Sequence, residues 1–227
     1  MKAMLLAAGR GERLRPLTAR VPKALVRAGG KALVAWQLER LAAAGFREAV
    51  INVSWLGDQI EAALGDGRAF GLTLAYSREA EPLESAGGLA QARALLGDAP
   101  FALVNADVWC DFDLARLRAR PLAGRLAHLV LVPNPPFHPA GDFSLAGEAA
   151  GNAAAPRYTY AGLALVDPAL VAPVRAGDKA QLAPLLRAAA DAGRLSAELH
   201  RGAWHDAGTP QRLAELEARI AAMKESR

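Results

Sequence analysis

Residues 3–18 read Ala3-Met4-Leu5-Leu6-Ala7-Ala8-Gly9-Arg10-Gly11-Glu12-Arg13-Leu14-Arg15-Pro16-Leu17-Thr18, and Pro22-Lys23 follows. The apolar run from Ala3 to Ala8 reads as a buried strand that breaks at Gly9-Arg10-Gly11. Lys31 to Ala44 then places Leu33, Trp36, Leu38 and Leu41 at helical intervals. The order is therefore strand, glycine loop, helix. Two glycines let backbone N–H groups turn toward an anion, and Arg13 and Lys23 add fixed positive charge to the same concavity. A triphosphate fits such a site.

Outward from this stretch the alternation continues. Ala49 to Val53 is a second buried strand, about Asp58 to Leu64 a helix, Leu72 to Tyr76 a third strand, about Gly88 to Leu96 a helix, and Phe101 to Val104 a strand running into Asn105-Ala106-Asp107. Continuous apolar strands alternating with helices predict an α/β fold of three layers, with a mixed, mainly parallel sheet and helices on both faces, Rossmann-like. Ligands in such sheets sit beyond the carboxyl ends of the strands. Leu129 to Val132, Tyr158 to Val166 and Ala197 to His200 read as further strands, Gln181 to Ala192 as a helix, and Pro210 to Met223 as a helix capped by Thr209. Residues 133–156 are rich in Pro, Gly and Ala and are expected to form a flexible flap within a single domain spanning 1–227.

Composition narrows the function. The 227 residues are 52% hydrophobic and 22% charged, which is globular and not disordered. The 27 basic residues against 23 acidic give a net charge of +4, only five of the basic residues are lysine, and no run of like charge occurs. That balance argues against nucleic-acid or membrane partners and favours a small anionic ligand. The single Cys110 precludes an intrachain disulfide and points to a reducing, cytoplasmic setting, and no Cys/His spacing suits zinc. No stretch reaches the roughly 20 apolar residues that span a bilayer.

Two familiar nucleotide loops are excluded. Leu14 stands where a dinucleotide fingerprint needs its third glycine, and Gly30-Lys31 lacks the first glycine and the following hydroxyl of a Walker loop. The whole pattern, GxGxRLxPxT with a following PK after an N-terminal strand, instead resembles the signature of the sugar-1-phosphate nucleotidyltransferases, which join a nucleoside triphosphate to a sugar 1-phosphate and release pyrophosphate. The resemblance runs from Ala3 to about Leu213. It implies catalytic roles for Arg13 and Lys23 and nucleotide contacts from Ala8, Gly9, Gly11, Glu12, Arg13, Lys23 and Asn105. Leu83-Glu84-Ser85-Ala86-Gly87-Gly88 resembles the family's base-holding loop, which adds Glu84, Ser85, Gly87 and Gly88. The same stretch also reads as an ordinary helix entry.

Asn105-Ala106-Asp107 at a strand end and Trp204-His205-Asp206-Ala207-Gly208-Thr209-Pro210, similar to the family's W-x-D-x-G-T-P segment, imply that Asp107 and Asp206 hold Mg²⁺. The Glu-Lys-Pro segment of larger relatives has no match; Asn134-Pro135-Pro136-Phe137-His138-Pro139-Ala140-Gly141-Asp142-Phe143 stands in that region. This short form resembles the N-acetylmuramate 1-phosphate uridylyltransferases of peptidoglycan recycling, and implies UTP and a sugar 1-phosphate as substrates. Asp142, Asn152 and Gly162 are then the candidate sugar-binding residues, with Arg157 or Arg187 available to a lactyl carboxylate. Another sugar 1-phosphate, such as that of glucose or mannose, or a non-catalytic nucleotide-sensing role, are the competing readings; the oligomeric state is left open.

Overall fold

The computed structural model describes residues 1–153 and 155–225. In chain order the strands are β1 (Ala3–Leu6), β2 (Arg27–Ala28), β3 (Lys31–Ala32), β4 (Glu48–Val53), β5 (Thr73–Arg78), β6 (Phe101–Asn105), β7 (Val108–Cys110), β8 (Ala127–Val132), β9 (Phe143–Ala146), β10 (Ala149–Gly151), β11 (Arg157–Val166), β12 (Leu195–Leu199) and β13 (Trp204–Asp206). The helices are α1 (Leu33–Ala43), α2 (Gly57–Leu64), α3 (Glu84–Gln91), α4 (Arg93–Leu96), α5 (Leu114–Ala119), α6 (Leu182–Asp191) and α7 (Pro210–Glu225).

Nine strands form one sheet in the order β5-β4-β1-β6-β11-β8-β12-β10-β9. The first four are mutually parallel, β11 is antiparallel to both neighbours β6 and β8, and β12 is parallel to β8. Side chains alternate across the sheet as a period of two demands. Leu5, Ile51, Val104, Val130 and Leu163 pack on one face with Leu38 and Leu41 of α1, Ile60 of α2 and Leu117 of α5. Met4, Val50, Leu103, Leu129 and Ala164 pack on the other with Leu89 of α3 and Leu182 and Leu186 of α6. Burial on both faces explains why these strands read as continuous apolar runs. The fold is the expected three-layer mixed α/β arrangement.

A third apolar cluster, Leu216 and Ile220 of α7 against Val26, Ala28, Leu33, Trp109 and Ala207, seats the last helix on the β2–β3 ribbon. The stretch read as a flap is partly regular: β9 and β10 pair with each other, and join the sheet through β12 and β11. Phe143, buried at its centre, supplies the apolar anchor that an Ala-rich composition hides. Ala154 lies outside the described residues. The acidic segment expected to be a loop before a helix is already helical from Glu84, so Glu84 to Gly88 lie in the first turns of α3.

β1 connects to β4 on one side and neighbours β6 on the other, which makes their carboxyl ends the crevice where the chain changes direction across the sheet.

Candidate active site

A cleft of about 890 Å³ opens at that crevice, lined by Ala7 to Arg13, Lys23, Asn52, Glu79, Glu81, Glu84, Ser85, Asn105, Asp107, Lys179 and Gly208 among others. A second, of about 430 Å³, is lined by Phe137, His138, Thr159 to Gly162, Trp204, Asp206 and Arg212, and shares Arg13, Asn105 and Asp107 with the first. The two meet at these three residues.

The glycine loop is stapled from behind. Gly11 adopts a left-handed φ of 64°, its carbonyl accepts from the Thr18 hydroxyl at 2.7 Å and from Leu14 N–H at 2.9 Å, and a side chain there would strike Thr18. This explains why the motif needs glycine and threonine seven residues apart. Gly9 has open space where a side chain would stand, so ligand can approach its backbone. Buried Leu14 anchors the short 3-10 turn that presents Arg13 at the junction of the clefts.

Beneath the wider cleft runs a buried polar chain across three strand ends. Asn52 Oδ1 accepts from Ala7 N–H at 2.8 Å, and Asn52 Nδ2 donates to Glu79 Oε1 at 2.7 Å. Glu79 Oε2 accepts from Leu83 N–H at 2.9 Å. Burial lifts the Glu79 carboxyl above the ordinary range, opposed by these two donors. The network fixes β1, β4 and the entry to α3 relative to one another.

Of the α3 candidates, Glu84 and Ser85 line the cleft, whereas Gly87 and Gly88 do not. A side chain at Gly87 would press into the Asp178 carbonyl, and one at Gly88 would meet Asn52 and Glu79 at 2.7 Å. Both glycines serve close packing of the helix in this structure. Ala180 O accepts from Ala86 and Gly87 N–H at 2.9 and 3.0 Å, so residues 178–180 cap α3 and carry Lys179 to the cleft wall. Ser85 Oγ in turn accepts from Leu182 N–H at the start of α6.

The β7–β13 ribbon carries both candidate metal carboxylates at one end. Asp206 lies opposite Val108 in register, and Ala207 N–H donates to Asp107 O at 2.9 Å. Helix α1 holds this ribbon, with Gln37 donating to Val108 O and Arg40 to Phe112 O. Asp107 pairs with Lys23, and Asp206 with Arg212 at 2.8 Å. Two hard carboxylates on neighbouring segments, partly exposed to clefts suited to phosphates, are a donor set that fits Mg²⁺, which completes its shell with waters and phosphate oxygens. At the ribbon's other end Cys110, Asp111 and His200 bring potential ligand atoms within 4.8 Å of one another. There burial pushes the Cys110 thiol up to about 11, Sγ accepts from Phe112 N–H, and His200 pairs with Asp111 at 2.6 Å. That cluster is satisfied without an ion.

The narrower cleft depends on a bulge. The register of β11 against β8 shifts between Tyr160 and Ala164, with Gly162 at φ 77°. A side chain at Gly162 would stand 2.7 Å from Asn105 Nδ2, so the glycine makes room for Asn105 at the junction. The bulge also turns Ala161 O to accept from Trp204 Nε1 at 2.9 Å.

The Asn134-to-Asp142 segment is bound down on β11. Asn134 Nδ2 donates to Pro139 O and Arg157 O, both at 3.0 Å, and its Oδ1 accepts from Thr159. Asp142 does not line the cleft: Oδ2 accepts from Tyr160 N–H at 2.8 Å, and Oδ1 pairs with His138 Nε2 at 3.0 Å. Its carboxylate thus presents His138. Asn152 is remote from both clefts, donating to Arg187 O and Asp191. Sequence reading missed Phe137, His138 and Arg212 as cleft walls, though the first two lie inside a quoted motif; Lys179 and Glu79 carry no local signal and arrive through tertiary contacts.

Comparison with known proteins agrees with this geometry. A nucleotidyl transferase family model matches residues 2–134. The chain is 48% identical over 235 residues to the N-acetylmuramate alpha-1-phosphate uridylyltransferase of Neisseria meningitidis serogroup B, covering 99% of this chain and 100% of that one. It is 35% identical to the enzyme of the same name from Caulobacter vibrioides, covering 96% of each. A crystal structure of a putative glucose-1-phosphate thymidylyltransferase from Bacillus anthracis superposes with a TM-score of 0.85 at 18% identity, over 97% of this chain and 95% of that one, a likeness of fold. The chain therefore belongs to the nucleotidyl transferase family, as an enzyme of the sugar-1-phosphate nucleotidyltransferase group.

Proposed function

We propose that this chain, as a single nucleotidyltransferase domain of the cytoplasm, transfers a uridylyl group from UTP to N-acetylmuramic acid 1-phosphate, giving UDP-N-acetylmuramic acid and pyrophosphate. The observation that carries the reading is the meeting of two clefts at Arg13, Asn105 and Asp107, with Lys23 on Asp107. The wider cleft takes the nucleotide and the narrower the sugar. The full-length likeness to the two uridylyltransferases supports the choice of base and sugar. Among the described residues no helix is long and apolar enough to cross a membrane.

The chemistry asks little of proton transfer. A sugar phosphate oxygen is already largely anionic at neutral pH, the second pKa of a phosphate monoester being about 6. What two polyanions need is neutralisation and alignment at the α-phosphorus. Backbone N–H groups around Ala8 to Gly11 cradle the triphosphate, Arg13 stabilises the charge that develops on the departing pyrophosphate, and Lys23 sits against the α-phosphate. Glu84 and Ser85 flank the base. Asp107 and Asp206 would hold Mg²⁺, which supplies further charge neutralisation to phosphate oxygens when bound.

The test is kcat/KM for pyrophosphate release over four nucleoside triphosphates, and over the 1-phosphates of N-acetylmuramic acid, N-acetylglucosamine, glucose and mannose. A preference of at least tenfold for UTP and the muramic acceptor is expected. Preference for a neutral sugar overturns the acceptor assignment, and release with no pair overturns the enzymatic reading in favour of a sensing module.

A further inference from the structure

The wall of the narrower cleft holds more positive charge than a neutral sugar 1-phosphate uses. Arg13 and Lys23 already serve the phosphates at the junction. Arg212, near the start of α7, lines the narrower cleft with Arg13, both guanidinium groups bordering Gly208, and its side chain is only 11% exposed. Its guanidinium carbon lies 4.1 Å from the centre of the Phe137 ring, and Phe137 in turn packs against Trp204 with ring centres 6.5 Å apart. Nη1 contacts both Asp206 oxygens, at 2.8 and 3.0 Å, and Nε approaches Thr209 Oγ1 at 3.4 Å. Among the described residues Nη2 makes no hydrogen bond. A stacked, nearly buried fork with one unused edge is a receptor for a planar anion.

In this structure the Asp206 carboxylate accepts from Arg212 and, at 3.3 Å, from Gly208 N–H. Once a cation shares the Asp206 carboxylate, the guanidinium loses much of its compensation, and a charge so nearly buried is costly when uncompensated. An acceptor that carries a second anion beside its phosphate would restore that compensation at this wall. A carboxylate on an ether arm of the sugar is such a group. The two arginines available from sequence alone are placed otherwise: Arg157 Nη2 donates to Asp142 O at 2.6 Å, and Arg187 lies 5.7 Å from the Phe143 ring, outside both clefts.

We propose that Arg212, packed on the Phe137 ring, is the specificity-determining residue that recognises the carboxylate of an acidic sugar 1-phosphate, with His138 lining the same cleft. This rests on the function proposed above, both in the acidic acceptor and in the metal role of Asp206. Were Asp206 to hold a cation, Arg212 would be the group on this wall free to pair with the acceptor's carboxylate.

The experiment compares two acceptors that share a ring and differ in the lactyl arm: N-acetylmuramic acid 1-phosphate and N-acetylglucosamine 1-phosphate. KM and kcat are measured with saturating UTP and Mg²⁺ for the unaltered protein, Arg212→Gln, Arg212→Lys, Phe137→Ala and, as a control outside the clefts, Arg187→Gln. Arg212→Gln is expected to raise KM for the muramic acceptor by about 30-fold or more, the scale for truncating one partner of a buried charge pair. Its KM for the glucosamine acceptor should rise at least tenfold less than that for the muramic acceptor. Arg212→Lys should fall between, since it keeps charge and loses the fork. Equal losses with both acceptors, the result of a purely structural hold on Asp206, overturn the proposal, as does an unchanged muramic KM. Should Arg212→Gln fail to fold, Phe137→Ala decides: Phe137 is 52% exposed, and a muramic-selective rise in KM supports the proposal while its absence overturns it. An unaltered protein that does not distinguish the two acceptors refutes the functional reading itself, whatever the variants show.

Discussion

Cys110 illustrates how far one residue's surroundings override its type. A lone cysteine in the sequence is a candidate nucleophile or ligand, yet here it is 1% exposed and its thiol is pushed up to about 11 by burial, against the pull of Phe112 N–H and nearby Arg40. A thiol raised in this way stays protonated throughout neutral pH, and alkylating reagents require the thiolate. Iodoacetamide at pH 8 is therefore expected to leave Cys110 of the folded protein unmodified over hours and to label it within minutes in denaturant, read by intact mass. Rapid labelling of the folded chain would contradict this burial. Asp142 teaches the same lesson in reverse. Its motif pointed to the sugar, and the structure places it one step behind, presenting His138.

Elements carry the next level of the argument, and glycine is the residue by which they touch. Gly162 combines a φ of 77° with a neighbour, Asn105 Nδ2, that would stand 2.7 Å from any added side chain. Gly162→Ala should cost about 1–3 kcal/mol, the usual range for overpacking. In a protein of this size each kcal/mol lowers Tm by roughly 2–4 °C, so a drop of several degrees in thermal unfolding is expected, and an unchanged Tm would show that the bulge relaxes freely. This level was only half legible in sequence. Strands β1, β4 and β6 and helix α1 were plain, because burial on both faces leaves continuous apolar runs and amphipathic spacing leaves its period. Strands β9 and β10 were not, since Ala and Gly dominate them and pairing with β11 and β12 supplies what local propensity lacks. The glycines of α3 were visible as glycines, but whether they faced ligand or Asn52, Glu79 and Asp178 depended on contacts distant in sequence.

At the scale of the molecule, function follows from where the strand ends converge. β1, β4, β5 and β6 deliver the glycine loop, Asn52, Glu79 and Asn105 to one crevice, while the β7–β13 ribbon and the 134–142 segment close the second cleft beside it. Arg13, Lys23, Asp107 and Asp206 are legible in the sequence because each sits inside a long, specific motif. The wall of the narrower cleft is less so, because Phe137, Trp204 and Arg212 gather from three segments that only folding brings together. The central claim is that transfer occurs where the clefts meet, and its most direct test is stoichiometric. Protein, UTP, N-acetylmuramic acid 1-phosphate and Mg²⁺ are mixed, and pyrophosphate and nucleotide sugar are quantified together for the unaltered chain, Arg13→Ala and Lys23→Ala. The account predicts one pyrophosphate per UDP-sugar, with turnover about 100-fold lower in each variant, the scale for removing a preorganised donor to developing charge, and with unchanged circular dichroism. Full turnover in either folded variant, or pyrophosphate without matching nucleotide sugar, would contradict it.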